Sequence, residues 1–249
     1  MTYCLAIKVD DGLVFASDSR THAGVDYASV YSKMHRFELH NDRMIILLAA
    51  GSLATTQAVV NQIRRDLENP DAHCNLNNVA YLFDAANYVG GISVKVQGQH
   101  WEAMQRSGFS AEATFILGGQ IRGQTHEIFL IYPQGNYIMV SLDTPYLQIG
   151  ETKYGKPILD RMIGASTTLE NAARCALVSL DSTMRSNISV GPPVDLLIYR
   201  RDGLTIDHFL NLETSCPFYA AMQKQWSEGI RAAFNLLPRF DWELQDGDE

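Results

Sequence analysis

Thr2, Asp18 and Gly51 are residues whose types and positions could do chemistry in this chain. If Met1 is removed, Thr2 presents a hydroxyl and a free α-amine on one residue. An α-amine has a pKa near ~8, so much of it can accept a proton at neutral pH. Most side-chain nucleophiles need a separate base, whereas an N-terminal Thr carries its own. Asp18 comes within reach of Thr2 through a hairpin. Tyr3 to Val9 and Leu13 to Asp18 are apolar and β-branched runs joined by the turn Asp10-Asp11-Gly12, so the start of one strand meets the end of its partner. Gly51 stands at a strand-to-helix joint. There a glycine lets the backbone approach a ligand closely, and the unpaired amides of the helix N-terminus point at negative charge. Such amides suit an oxyanion.

The elements that must position these residues read as follows. A polar loop, Ser19 to Ser29, leads into a strand from Val30 to Leu39, a turn at His40-Asn41-Asp42 and a buried strand from Arg43 to Ala50. Ser52 caps a helix whose apolar stripe is Leu53, Ala54, Val59, Ile63 and Leu67, and Asn69-Pro70 ends it. A second helix is expected from Asn77 to Gln97, weakened by Gly90-Gly91. Four strands follow, at Thr114 to Gly118, Glu127 to Tyr132, Asn136 to Leu142 and Tyr146 to Ile149. A short helix is read from Glu151 to Met162, and a capping box at Thr167-Thr-Leu-Glu170 opens another. A hairpin, Val194 to Arg200 and Leu204 to Phe209, turns at Asp202-Gly203. Phe218 to Leu236 is helical, and the acidic tail 241–249 is expected to be loose. This order is no βαβ alternation. It fits an α+β fold of antiparallel sheets with helices segregated outside, in one domain spanning 1–249.

Composition narrows the function. A net charge of −8 argues against nucleic acid, whose binding needs clustered Lys and Arg. No apolar run approaches the ~18 residues of a membrane span, and no secretory leader is visible, so the chain reads as cytoplasmic. Cys4, Cys74, Cys175 and Cys216 lack CxxC spacing and read as reduced thiols, and no zinc pattern joins them to His. His22, His35 and His40 lie close in sequence without partners at ligand spacing, as surface and strand histidines do. GxSxG, HExxH, Walker and GxGxxG motifs are missing, so neither metal nor cofactor is expected.

The N-terminal Thr, the Asp in Ser17-Asp18-Ser19-Arg20, Lys33 in Tyr31-Ser32-Lys33-Met34 and the strand-Ala-Gly-Ser-helix joint at Ala50-Gly51-Ser52 together resemble the proteasome β-subunit pattern. The stretch Gln148 to Arg161 narrows the likeness to the bacterial Anbu family, the ancestral β-subunit. This resemblance implies the four-layer αββα sandwich of N-terminal-nucleophile hydrolases and peptide hydrolysis through an acyl-enzyme on Thr2. It implies Lys33 as the cation that stabilises the alkoxide, Asp18 as its anchor and Gly51 as oxyanion donor. It also implies a pocket at Thr21, Tyr31, His35, Ala49 and Leu53, and support of the terminal amine by Asp181 and Ser186. Where the proteasome has a serine in a Gly-Ser-Gly turn, Ile149-Gly150-Glu151 brings a carboxylate instead.

Two other readings stand beside this one: an amidase of the same superfamily acting on a small amide, and a catalytically silent assembly or binding protein. The resemblance also implies a large homo-oligomer, ring or open spiral, acting on peptide or unfolded protein. Apolar helices at 52–67 and 77–97 and aromatics Phe218, Tyr219, Trp226, Phe234, Phe240 and Trp242 offer surfaces for it.

Overall fold

The computed structural model describes residues 1–22, 28–39 and 42–244, and the chain divides into two compact units, Met1–Glu213 and Thr214–Glu249. The first unit runs β1 (Tyr3–Val9), β2 (Gly12–Asp18), β3 (Arg20–His22), β4 (Ala28–Val30), β5 (Met34–Leu39), β6 (Arg43–Gly51), α1 (Leu53–Glu68) and α2 (Leu82–Arg106). It continues with β7 (Ala113–Ile121), β8 (Glu127–Ile131), β9 (Tyr137–Met139), β10 (Tyr146–Gly150), α3 (Lys156–Met162), α4 (Leu169–Ser186), β11 (Val194–Arg200) and β12 (His208–Leu212). One five-stranded sheet has the order β10-β1-β2-β11-β12, and the other β5-β6-β7-β8-β9. All their pairings are antiparallel.

The side-chain period of two assigns the layers. Cys4 and Ala6 of β1 and Leu13 and Phe15 of β2 share one core with Met44, Ile46 and Leu48 of β6 and Ile116 of β7, so the sheets pack face to face. The alternate residues of the second sheet, Ile45, Leu47, Ala49 and Phe115, meet Val59 and Ile63 of α1 and Ala86 and Val89 of α2. On the other side α4 covers β1 and β2, and Tyr3 Oη lies 2.7 Å from Ser179 Oγ. The result is the expected α+β sandwich, layered helix, sheet, sheet, helix.

Several boundaries differ from the sequence reading, each for a local reason. The strand expected over Val30 to Leu39 is interrupted between β4 and β5; Lys33 O still accepts from Ala49 N at 3.0 Å, while the Lys33 side chain turns inward to Asp18. Inside the polar loop, β3 and β4 form a small ladder. The second helix starts at Leu82, since Asn75 Oδ1 accepts from the amides of Asn77 and Asn78 and folds that stretch into a turn. It runs past Gly90-Gly91 to Arg106, and Gly90 is where it touches the β8–β9 turn: a Cβ there would lie 2.1 Å from Gly135 O. The helix expected from Glu151 begins at Lys156. Thr168, not Thr167, caps α4 by accepting from Asn171 N, while Thr167 Oγ1 accepts from Gly164 N. The second strand of the last hairpin starts at His208. The turn residues His40 and Asn41 and the end of the acidic tail lie outside the described residues.

The second unit contains α5 (Pro217–Asn235), opened by a Pro in its first turn, and a 3-10 turn at Asp241–Leu244. Phe240 and Trp242 stack at 4.5 Å between ring centroids.

Candidate active site

Thr2 immediately precedes β1. By alternation it shares the face of Cys4 and Ala6, which looks toward the second sheet. Its backbone is pinned on both sides. Thr2 O accepts from Glu151 N at 2.7 Å, and the following amide, Tyr3 N, donates to Asp18 Oδ1 at 3.0 Å. The approach to β10 is so close that a Cβ on Gly150 would lie 1.9 Å from Thr2 O, and Gly150 has φ of +84°. Only glycine fits that point.

Asp18, at the end of β2, has no exposed surface. Its carboxylate accepts from Lys33 Nζ at 2.6 Å, from Tyr3 N, and from Gly191 N at 3.2 Å. Burial pushes its pKa up, opposed by Lys33 and the two amides. Lys33, itself 7% exposed, also donates to Arg20 O at 2.7 Å. An ammonium has three donors, so one N–H remains for the space in front of it. That space is a cavity of about 720 Å³ lined by Thr2, Lys33 and Gly51. Gly51 ends β6 at φ +109°, where a Cβ would meet Glu112 O at 2.3 Å. Ser52 caps α1 behind it, its side chain accepting from Thr55 N.

Thr21, Tyr31, His35, Ala49 and Leu53 line the same cavity. His35 is pushed down to about 4 by burial and by the Arg64 cation. The Met1 amine is lowered by burial and Lys33, with Asp18 opposing. Cys4 has no exposed surface, and burial pushes its thiol far up, so it is no rival nucleophile. Ser17 is equally buried.

Asp181 and Ser186 sit elsewhere. Asp181 is buried on α4 and accepts from Arg185 Nε at 2.8 Å; Ser186 is exposed at the end of that helix. Neither lines the cavity. What approaches from this side is the loop after α4. Asn187 Nδ2 donates to Glu151 Oε2 at 3.1 Å, and Gly191 N holds Asp18. Sequence reasoning passed over both. The available signal was Gly191 just before a strand, with Asn187 as the first residue after the helix. Glu151 is 8% exposed, and its backbone amide is the one bound to Thr2 O.

A double antiparallel sandwich flanked by helices, with Thr2 of its first strand end at the cavity beside a buried Lys–Asp pair, defines the class of proteasome-type folds. The proteasome subunit family model matches residues 2–198. Among solved structures, Anbu (ancestral beta-subunit) from Yersinia bercovieri is 42% identical, with 96% of this chain and 100% of that chain covered at TM-score 0.89. Anbu from Hyphomicrobium sp. strain MC1 is 40% identical over 96% of this chain and 100% of that one, TM-score 0.87. The structure titled helical assembly of the Anbu complex from Pseudomonas aeruginosa is 40% identical over 96% and 98%, TM-score 0.89. A search of curated proteins finds no match. The chain belongs to the proteasome subunit family and, within it, to the Anbu proteins. Among the described residues no helix is long and apolar enough to cross a membrane.

Proposed function

We propose that this chain is a self-assembling threonine peptidase that cleaves peptide bonds through an acyl-enzyme on Thr2, once Met1 has been removed. The observation that carries the reading is Lys33 Nζ, held buried between Asp18 and Arg20 O at the cavity that Thr2 lines. Thr2 Oγ1 attacks the peptide carbonyl carbon while its proton passes to the Thr2 α-amine, directly or through a water. Lys33 stabilises the developing alkoxide, and the Gly51 amide takes the oxyanion. Collapse breaks the C–N bond, the leaving amine takes the proton from the α-amine, and an ester remains on Thr2. Water, deprotonated by the same amine, then hydrolyses that ester and restores the free hydroxyl.

On the β10 side the Thr2 backbone is held by the Glu151 amide, and the Glu151 carboxylate is itself tied to Asn187 Nδ2. Intact mass of chain from the native host falls one Met below the encoded mass. A threonine-directed electrophile labels this chain but neither Thr2→Ala nor Lys33→Ala. Unchanged labelling of folded Thr2→Ala would sink the mechanism.

Assembly belongs to the same reading, supported by the helical assembly named for the Pseudomonas relative. Phe234, Leu236, Phe240 and Trp242 each leave more than half of their surface open, as residues that meet a second copy do. Sedimentation over a range of concentrations gives a large homo-oligomer; a monomer near 27.8 kDa at all micromolar concentrations refutes it.

A further inference from the structure

The cavity in front of Thr2 has a charge pattern that sets what it will accept. One wall is the face of α1 built from Leu53, Gln57, Asn61 and Arg64, spaced three or four residues apart and therefore in one row. The near end of this row, with Ala49, Ala50 and Gly51, is apolar or plain backbone. Farther along it becomes a line of donors: the amides of Gln57 and Asn61, then the Arg64 guanidinium. His35 of β5 lines the same space, where burial first and the Arg64 charge second depress its pKa.

Among the described residues lining this cavity there is no Asp and no Glu. The two side-chain cations there differ in kind. Lys33 is neutralised at 2.6 Å by Asp18. Arg64 has no ion pair among the described residues. Arg64 is thus the lining side-chain cation without an ion pair among the described residues. A cationic side chain entering would meet it with no carboxylate among the described residues that line this cavity, Glu38 and Glu68 lying with Arg64 in a separate hollow. A carboxylate would find a planar bidentate donor with amide donors beside it.

Reach agrees with this. Eleven residues of helix separate Leu53 from Arg64, about 16 Å at the α-helical rise, and helical side chains tilt back toward the N-terminus. An extended peptide advances ~3.3 Å per residue, so about five residues on the acyl side span the row, and the backward tilt brings the Arg64 side chain toward the third.

Resting on the peptidase reading, we propose that the cavity selects peptides carrying an acidic side chain among the first three residues on the acyl side of the attacked carbonyl, with Arg64 as the specificity-determining residue. The test is binding to Thr2→Ala chain, which needs no nucleophile. Fluorescein-labelled hexapeptides identical except for Glu, Gln or Lys at those three positions are titrated by anisotropy. The Glu peptide binds roughly tenfold tighter than the Lys peptide, as a charge-assisted contact implies, with Gln between. Arg64→Glu reverses the order, and Arg64→Met, which keeps the apolar stem, brings Glu and Gln together. Both substitutions fall on an exposed helix position, and circular dichroism checks the fold. Equal affinities, or an order unchanged in both Arg64 variants, overturn the proposal. Electrophile labelling of Thr2 fails or succeeds independently, so the two readings fall separately.

Discussion

Breaking the Asp18–Lys33 pair one partner at a time is the sharpest probe of how the site is held. Asp18 has no exposed surface and accepts three hydrogen bonds, from Lys33 Nζ and from the amides of Tyr3 and Gly191. In Asp18→Asn the side-chain NH₂ must replace one acceptor, so it faces a donor, and Lys33 stays buried without its counter-ion. Removing one partner of a buried ion pair costs about 3–5 kcal/mol, which lowers Tm by roughly 6–20 °C for a chain of this size. Lys33→Met leaves the Asp18 carboxylate uncompensated at similar cost. The double variant Asp18→Asn/Lys33→Met buries no charge and loses less than the sum, with a coupling of at least about 2 kcal/mol. Urea unfolding at fixed protein concentration gives all four corners of the cycle. The pH dependence has a definite sign. Burial already pushes the Asp18 carboxyl above its ordinary 3.8 against the opposing Lys33 charge, and losing that charge raises it further. Between the ordinary and the raised value, the folded state holds a proton that the unfolded chain releases. Stability of Lys33→Met therefore rises as pH falls through that window, and its deficit is greatest above the window. A coupling below about 0.5 kcal/mol, or a deficit that widens on acidification, would refute the buried-pair account.

Gly150→Ala puts a Cβ 1.9 Å from Thr2 O at φ +84°. It should cost at least about 2 kcal/mol and displace Thr2; unchanged unfolding midpoint and unchanged electrophile labelling would contradict this. His35, held at about 4 by burial and Arg64, stays neutral in the fold while the unfolded chain takes up a proton below about 6.5. Its contribution is present above that value and lost as pH falls toward 4, at most about 3 kcal/mol over the interval. His35→Gln therefore flattens the acid limb of stability, and a parallel limb in both proteins would show the reasoning wrong. Ser52→Ala removes the α1 cap to Thr55 N and costs about 1 kcal/mol by urea unfolding; no change would mean that water replaces it.

Local rules already determined much of this molecule. The first hairpin was legible because its period of two and its Asp-Gly turn act within a few residues. The start of α1 was legible because a Ser cap follows a buried strand directly. These two elements supply Thr2, Asp18 and Gly51, so the placement of half the cavity wall could be read before any tertiary contact was known. Lys33 was legible only through the family pattern. In the fold it stands just ahead of β5, its carbonyl bonded to Ala49 N of β6 and its ammonium 2.6 Å from the buried Asp18 carboxylate, a partner set by packing between segments. The start of α2 was misplaced, since the Asn75 side chain binds the amides of Asn77 and Asn78 in competition with a helix. The far side of the site was not legible at all. Asp181 and Asn187 are both polar residues near a helix end, and nothing local distinguishes them. Which one meets Glu151 depends on how the loop after α4 returns to the end of β10, thirty-six residues away. Periodicity and caps act over a few residues, so sequence alone determined the hairpin, the helix cap and the face that Thr2 shares. Packing of two sheets and a loop determined the Asn187–Glu151 contact and the meeting of the α1 row with Thr2 and Lys33 at one cavity, because those depend on approaches between segments that no local rule couples.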